Sequence, residues 1–205
     1  MSLRASHDAA SSPSLTTRVL TERLVLRPPR TTDVPVMRAV LRKNAEHLRP
    51  WSVAQAPGED QASLTSVSRA ILRHRREWKA GQAYVLFIAR GVDPADIIGR
   101  VALGGVLRGA FQNAYLGYWI DVDHQGEGLM TEAVRAATAF AFESAGLHRV
   151  QAAVMPRNGA SQRVLAKVGY RQEGFAARYL CIAGAWEDHL IFALTAEEWP
   201  ARCGV

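Results

Sequence analysis

The sequence is poor in cysteine and has no long apolar run. Its 205 residues include two cysteines, Cys181 and Cys203, and no Cys-x-x-Cys pair. This excludes a secreted disulfide framework and gives no support to a zinc ribbon or a thioredoxin-type redox site. No stretch approaches the ~20 apolar residues of a membrane span, and residues 1–13 lack the apolar segment of a signal peptide. We therefore predict a cytoplasmic protein that is not inserted in a membrane.

Histidine pairs and a strong charge bias are missing as well. No two of the six histidines stand at metal-ligand spacing, so no metal site is predicted. The net charge is only +6, and 48% hydrophobic residues is an ordinary globular proportion, which excludes a disordered or collagen-like chain. The length suits one core. We predict a single domain over residues 18–200 and a disordered tail over residues 1–17, where no helical or strand period is found.

Hydrophobic periodicity predicts strands and helices in the order β-α-α-β-β-β-α-β-α-β-β. The predicted strands cover residues 23–27, 84–89, 97–107, 114–122, 149–155, 171–181 and 186–194. The predicted helices cover a segment with Asp33 as its N-cap and residues 61–79, 130–144 and 158–168, and residues 44–60 are predicted as a loop. The order indicates a mixed α/β sheet with helices on it, because a doubly wound fold would alternate strictly.

A glycine-bearing loop joins the third long strand to a helix. Gly126 and Gly128 allow positive φ and a close approach of the backbone to a ligand. A helix that begins directly after such a loop presents unpaired N–H groups at its positive end, which is a site for phosphate. Thr131 stands where a dinucleotide fingerprint needs a third glycine, and no Gly-Lys-Ser/Thr of a P-loop is present.

Several motifs, in order, carry a family resemblance. Gln-x-x-Gly-x-Met at residues 125–130, followed by Thr-Glu-Ala, resembles the acyl-CoA loop of the GNAT superfamily of N-acetyltransferases. Residues 158–161 and 169–170 resemble that superfamily's Asn-x-x-Ser helix and its closing Gly-aromatic pair. Residues 21–27, 44–51 and 186–189 are similar to the RimJ/RimL ribosomal-protein acetyltransferases. The resemblance covers about residues 18–195.

The resemblance implies a fold and a donor site. The fold is a mixed, largely antiparallel sheet of about seven strands with helices on both faces, whose two central parallel strands splay apart to admit acetyl-CoA. Those strands would be residues 115–122 and 149–155. Backbone groups of Ile120 and Val122 would bind pantetheine. The amides of Gly126, Gly128, Leu129, Met130 and Thr131 would bind the pyrophosphate, and Gln125, Asn158 and Ser161 complete the implied donor-binding set.

Acetyl transfer from a thioester needs a neutral amine, a donor to the developing oxyanion and a proton for the departing thiolate. The resemblance assigns that proton to Ser161, although Asn158 and Ser161 are also the residue types of a simple N-cap pair. Tyr115 stands where relatives often carry a carboxylate base, so either Tyr115 is the base or no strong base is present. Water-relayed proton removal by Glu187, Asp188 or His189 stays open beside a merely solvated hairpin.

The missing carboxylate favours an acceptor that loses its proton easily. At pH 7 deprotonation costs about 1 kcal/mol for an α-amine and roughly 4.6 kcal/mol for a lysine. We therefore predict an acetyl-CoA-dependent enzyme that acetylates the N-terminal α-amine of a protein such as a ribosomal protein, by direct transfer in a ternary complex. The alternatives are the same fold acting on a small amine (a polyamine, an amino acid or an aminoglycoside) and a member that binds acyl-CoA without catalysis.

A cluster of positive residues on the predicted helix 61–79 is a further candidate. It consists of Arg69, Arg73, Arg75, Arg76 and Lys79. Such a face is either simply solvated or docks an acidic acceptor or ribosomal RNA. Nucleic acid is therefore expected as a partner only if the protein docks on the ribosome, and the protein is expected to be a monomer or a homodimer.

Overall fold

One mixed sheet of eight strands organises the molecule, as the computed structural model describes it over residues 13–53, 60–91 and 96–199. The strands are β1 (Val19–Leu20), β2 (Leu24–Arg27), β3 (Tyr84–Arg90), β4 (Ile97–Leu107), β5 (Asn113–Ile120), β6 (Arg149–Val154), β7 (Arg171–Ile182) and β8 (Ala185–Thr195). Their spatial order is β1-β2-β3-β4-β5-β6-β8-β7, and only β5 and β6 are parallel. The predicted mixed sheet is confirmed. Its eighth strand is β1, which is too short to show a period of two.

Five α-helices accompany the sheet in the described ranges. They are α1 (Val34–Lys43), α2 (Ala45–Leu48), α3 (Leu64–Lys79), α4 (Leu129–Ala139) and α5 (Gly159–Val168), and α4 continues into a π-helical turn at Phe140–Ser144. The prediction of a loop over residues 44–60 is wrong at α2, whose single turn is too short to give a helical period. Residues 54–59 of that loop lie outside the described residues.

Asp33 has a different role from the predicted one. Its side chain makes no capping hydrogen bond to α1. Instead, its carboxylate accepts two hydrogen bonds from the guanidinium of Arg27, at 2.7 and 2.8 Å, and one from the backbone N–H of Arg30 at 2.7 Å. Both side chains of the ion pair are buried. Asp33 therefore ties the end of β2 to the start of α1, and removal of one partner would leave a buried charge uncompensated.

The two faces of the sheet are covered by different helices. On β3, Leu86 and Ile88 face the larger core, which is closed by α4 and α5, while Val85 and Phe87 face a smaller core closed by Met37 of α1 and by α3. This alternation follows from the period of two along a strand. Helices on both faces were predicted, and the prediction is confirmed. We call these faces the α4/α5 face and the α1/α3 face.

The N-terminal region is attached to the domain earlier than predicted. Residues 1–12 of the predicted tail lie outside the described residues, as do residues 200–205. Within Pro13–Thr17, Leu15 packs against the larger core, and the indole N–H of Trp78 donates to the Pro13 carbonyl at 2.6 Å. The described helices include none that is long and apolar enough to cross a bilayer.

Candidate functional site

The parallel strands β5 and β6 separate part-way along their length. They pair at three positions, Asn113 with Arg149, Ala114 with Val150 and Tyr115 with Gln151. Beyond Tyr115, β5 continues to Ile120 in register with β4, and β6 continues to Val154 in register with β8. Backbone groups of both strands that would have completed the ladder therefore face a gap. An extended chain of amides can satisfy such groups by adding itself as a strand.

The glycine loop begins where β5 ends. Gly126 and Gly128 have φ values of +78° and +79°, in the left-handed region where glycine alone is unstrained. Gly128 is the N-cap of α4 and offers no side chain to the free amides of the first turn. In the described chain, no hydrogen bond uses the N–H groups of Gly126, Gly128, Leu129, Met130 or Thr131. Together with the helix dipole, these amides form a site suited to a phosphate group.

The C-terminal end of α1 holds this loop in place. Asn44 is fully buried; its Oδ1 accepts a hydrogen bond from the Val122 N–H at 2.8 Å, and its Nδ2 donates to the Val40 carbonyl at 2.9 Å. Val122 lies in a short turn after β5 rather than on the strand. The internal bond gives the Val122 N–H a partner within the protein, and the assignment of backbone groups of Val122 to pantetheine stays a prediction. Asn44 begins the segment 44–51 that resembles the RimJ/RimL enzymes, but no contact of its side chain was predicted.

Charged residues strengthen the same junction. Lys43 lies within 2.9 Å of Asp121 and 2.6 Å of Asp123. Burial alone would raise the pKa of the Asp121 carboxyl, but hydrogen bonds from Lys43 and from the Asp123 N–H outweigh burial and lower it. Asp121 therefore stays ionised. At the far side of the loop, the Gln125 amide nitrogen lies 2.7 Å from Nε2 of His47 on α2.

Two sequence motifs that are 109 residues apart meet beside the start of α4. The Glu132 carboxylate accepts hydrogen bonds from the Thr21 hydroxyl at 2.6 Å, the Arg23 N–H at 3.0 Å and the Arg23 guanidinium at 2.7 Å. Burial would raise the pKa of Glu132, yet these bonds lower it overall. Arg23 also donates to the Glu127 carbonyl at 2.9 Å. The N-terminal strand region thus fixes the helix whose amides line the phosphate site.

Ser161 and Asn158 have different hydrogen-bonding roles at the start of α5. Asn158 Oδ1 accepts a hydrogen bond from the Ser161 N–H at 3.0 Å, so Asn158 is the N-cap and the capping alternative is correct for this residue. The Ser161 hydroxyl is not part of the cap. It lies 2.7 Å from the hydroxyl of Tyr118 on β5.

Tyr118 was not among the predicted site residues. Burial raises the pKa of Tyr118 to about 12, against a smaller opposing effect of the Ser161 hydrogen bond. Its hydroxyl is therefore protonated at neutral pH. It donates to the Ser161 carbonyl at 3.1 Å, and either hydroxyl can be the donor in the 2.7 Å contact between Tyr118 and Ser161. The sequence held a signal for it, because the period of two along β5 puts Tyr118 on the same inward face as Leu116 and Ile120.

Tyr115 lies apart from this pair. An odd separation of three residues from Tyr118 places it on the opposite, α1/α3 face of β5, where its side chain is 43% exposed. It is also the last residue of β5 that pairs with β6. The structure therefore brings Ser161 together with Tyr118, and it puts Tyr115 at the base of the gap on the other face.

The charged residues near the β7–β8 turn already have partners. Glu187 pairs with Arg157 at 2.8 Å, and the Arg157 guanidinium lies over the Trp51 ring at 5.1 Å. Asp188 Oδ1 accepts a hydrogen bond from the Arg178 N–H at 2.8 Å. His189 is buried, and its Nδ1 lies 2.9 Å from the Glu187 carbonyl. Neither carboxylate of this turn is free of a partner in the described chain.

The part of the chain that contains these features matches a family of known proteins. The model of the family described as "Acetyltransferase (GNAT) domain" matches residues 23–171, from Arg23 through the glycine loop to the start of β7. The chain belongs to the GNAT acetyltransferase family. It is an N-acetyltransferase that uses acetyl-CoA as its acyl donor. Among the residues that the structure describes, no three His, Cys, Asp or Glu side chains form a group able to hold a metal ion.

Three relatives resemble this acetyltransferase over nearly its whole length. The [ribosomal protein uS5]-alanine N-acetyltransferase of Escherichia coli is 36% identical over 187 residues, covering 90% of this chain and 94% of the relative. The structure of Mycobacterium smegmatis RimJ in complex with CoA-disulfide superposes with a TM-score of 0.80 at 34% identity, covering 86% of this chain and 84% of the other. The ribosomal-protein-S5-alanine acetyltransferase of Vibrio fischeri superposes with a TM-score of 0.82 at 29% identity, covering 89% and 98%.

Proposed function

We propose that this acetyltransferase acetylates the N-terminal α-amine of a protein, with a ribosomal protein as the acceptor. The relatives named above for the alanine of a ribosomal protein support this acceptor class, because the similarity extends over 90% of the chain and includes the regions outside the glycine loop. Transfer is direct, within a ternary complex, and forms no covalent intermediate with the enzyme.

The observation that carries the proposal is that the predicted carboxylate candidates for a base, Glu187 and Asp188, already have partners in the described chain. Tyr115 occupies the position of the expected base, Glu187 is paired with Arg157, and Asp188 accepts a backbone hydrogen bond. An acceptor with a pKa of about 7.7–8.0 is already partly neutral at pH 7, whereas a lysine at about 10.4 needs a strong base. An α-amine therefore suits this site better than a lysine side chain.

The donor is held mainly by backbone groups. The free amides from Gly126 to Thr131 bind the pyrophosphate, and Met130 contributes only its N–H because its side chain is buried in the larger core. Gln125 borders the same loop, and its amide rotates away from His47 to meet the donor. Backbone groups of Ile120 and of the unpaired part of β5 bind the pantetheine arm along the gap.

Proton transfer on the donor side uses Ser161. Acetyl-CoA supplies the acetyl thioester, and unpaired N–H groups of β5 stabilise the oxygen as it becomes negative. A C–N bond forms to the amine and the C–S bond breaks. The Ser161 hydroxyl then gives its proton to the departing sulfur, while the Tyr118 hydroxyl, at 2.7 Å, hydrogen-bonds to the Ser161 oxygen. The amine proton leaves to water on the α1/α3 face, beside Tyr115, and a proton from water restores the Ser161 hydroxyl. Asn158 keeps the first turn of α5, and hence Ser161, in position.

The test is an acceptor panel read by mass. The enzyme and acetyl-CoA are incubated with peptides that have free Ala, Ser or Met N-termini, with N-terminally blocked lysine peptides and with polyamines. We expect one added acetyl group on the free N-termini, located by fragmentation, and none on the blocked peptides. Acetylation of the polyamines alone would overturn the protein acceptor, and tight donor binding without any turnover would identify a non-catalytic member.

A further inference from the structure

Arg100 has no counter-charge in the described chain. It lies on β4, between Phe87 of β3 and Trp119 of β5, on the α1/α3 face. No hydrogen bond or ion pair involves its side chain in the described residues, and its Nε is sealed from solvent without a partner. The residue as a whole is half-buried. Burial, and to a smaller extent Arg73, lower the pKa of Arg100.

The residues nearest to Arg100 do not compensate its charge. His74 of α3 is 8% exposed, and its Nδ1 also has no partner in the described chain. Burial first, then Arg100 and Arg73, lower the pKa of His74 to about 4, so the ring is neutral at pH 7. Arg73 is itself positive and interacts with Glu77 at 3.7 Å. The charged groups that act on Arg100 and His74 are therefore all positive among the described residues, and none of them is an anion.

Such an arrangement opposes folding. An ion that loses its hydration without gaining a partner destabilises the folded state, and an apolar side chain of similar volume is usually better tolerated there. The smaller core around this position is otherwise apolar, with Val67, Ile71 and Phe87. A positive group at this place is explained most directly by a negative group that arrives with a ligand.

The position of Arg100 suits the acceptor rather than the donor. Helices α4 and α5 and the glycine loop serve the α4/α5 face, so the acceptor amine approaches the gap from the α1/α3 face. Trp119 borders the gap, and Arg100 lies one strand further, about 5 Å away at the backbone. In an extended peptide, the second and third residues follow the first at steps of about 3.3 Å. A side chain at either position can reach Arg100.

We propose that Arg100 binds the carboxylate of an Asp or Glu at the second or third position of the acceptor. The guanidinium is a planar donor that pairs with a carboxylate through two parallel hydrogen bonds. This inference rests on the proposed N-terminal acceptor and narrows it to acidic N-terminal sequences.

The experiment compares peptides that differ only in Glu or Gln at position two or three. Hydrogen bonds between charged groups predict a kcat/KM about tenfold or more higher for the Glu peptide with the natural enzyme. In Arg100→Met the ratio of kcat/KM between the Glu and the Gln peptide falls to about one. The acetyl-CoA Kd is unchanged, and the melting temperature does not fall. Arg42→Met removes the same charge from an exposed position of α1 and is expected to keep the preference.

The possible outcomes distinguish a failure of the role of Arg100 from a failure of the proposed N-terminal acetylation. Equal rates on Glu and Gln peptides, or a preference that survives in Arg100→Met, overturn the role of Arg100 and leave N-terminal acetylation standing. Acetylation of small amines and of no peptide overturns both. If Arg100→Met does not fold, Arg100→Lys keeps the charge without the planar fork, and a preference as large as in the natural enzyme with that variant contradicts the inference.

Discussion

The two sides of the gap are built in different ways. On the proposed donor side, one contiguous segment from Ile120 to Thr131 supplies backbone amides and two glycines with positive φ. On the proposed acceptor side, side chains come from separate segments: Trp51 after α2, Arg100 on β4, Tyr115 on β5 and Arg157 after β6. A thioester donor that never varies can be bound by backbone geometry, whereas acceptor selection needs side chains. The difference explains why the donor is readable from a motif and the acceptor is not.

Ser161, the proposed proton donor to the departing sulfur, gives the largest expected effect. Ser161→Ala removes the proton that the departing sulfur needs, so kcat should fall about 100-fold or more while the acetyl-CoA Kd changes little. Steady-state kinetics and calorimetry measure the two quantities. Tyr118→Phe keeps the Ser161 hydroxyl and is expected to show a smaller loss of kcat. An unchanged kcat in Ser161→Ala would remove the residue from the mechanism.

Variants of Asn44 test whether the glycine loop needs a contact from outside residues 120–131 in order to bind acetyl-CoA. Asn44→Ala leaves the buried Val122 N–H without an acceptor, which costs about 1–3 kcal/mol, and it releases the start of the glycine loop. We expect acetyl-CoA to bind about tenfold more weakly in Asn44→Ala. Asn44→Asp retains an oxygen for the Val122 N–H and should recover part of the affinity. Equal acetyl-CoA affinity in all three proteins would show that the loop is self-sufficient.

Glu132→Gln is expected to have the smallest effect of the three substitutions, and its effect on stability depends on pH. Its pKa is lower in the folded protein, so its stabilisation is present above the unfolded value of 4.5 and is lost as the pH falls through the folded value. The exposed Arg23 is screened by solvent, so Glu132→Gln should cost only about 1 kcal/mol at pH 7. Urea unfolding at pH 7 and in acid should show a smaller acid loss for Glu132→Gln. Parallel losses in the two proteins would contradict this account.

Much of the architecture followed from local patterns. The long strands and helices α3 and α5 were predicted within a few residues, because, β7 apart, their apolar residues follow a regular spacing or form a continuous run. The short elements α2 and β1 carry too few residues to define a period. The prediction for Asp33 failed for another reason: its residue type favours capping, but a buried arginine six residues earlier competed successfully for the carboxylate.

The candidate site likewise has features that depend on neighbours in the chain and features that depend on long-range contacts. The positive φ of Gly126 and Gly128 and the cap at Asn158 were predictable because they depend on neighbours in the chain, while the roles of these residues in donor binding stay predictions. The bond from Asn44 to Val122 joins residues 78 apart, and the Tyr118–Ser161 pair spans 43. No motif records such partners, since they are set by which helices pack against which strand.

The sequence by itself determined the sheet, its helices and a glycine loop at the start of α4, because strand alternation, helical spacing and glycine conformation are local properties. The tertiary structure alone decided that the pairing of β5 with β6 ends at Tyr115, that Ser161 meets Tyr118 on one face, and that Arg100 has no counter-charge among the described residues on the other. These facts depend on long-range packing and burial, which set the environment of each charge and hydroxyl.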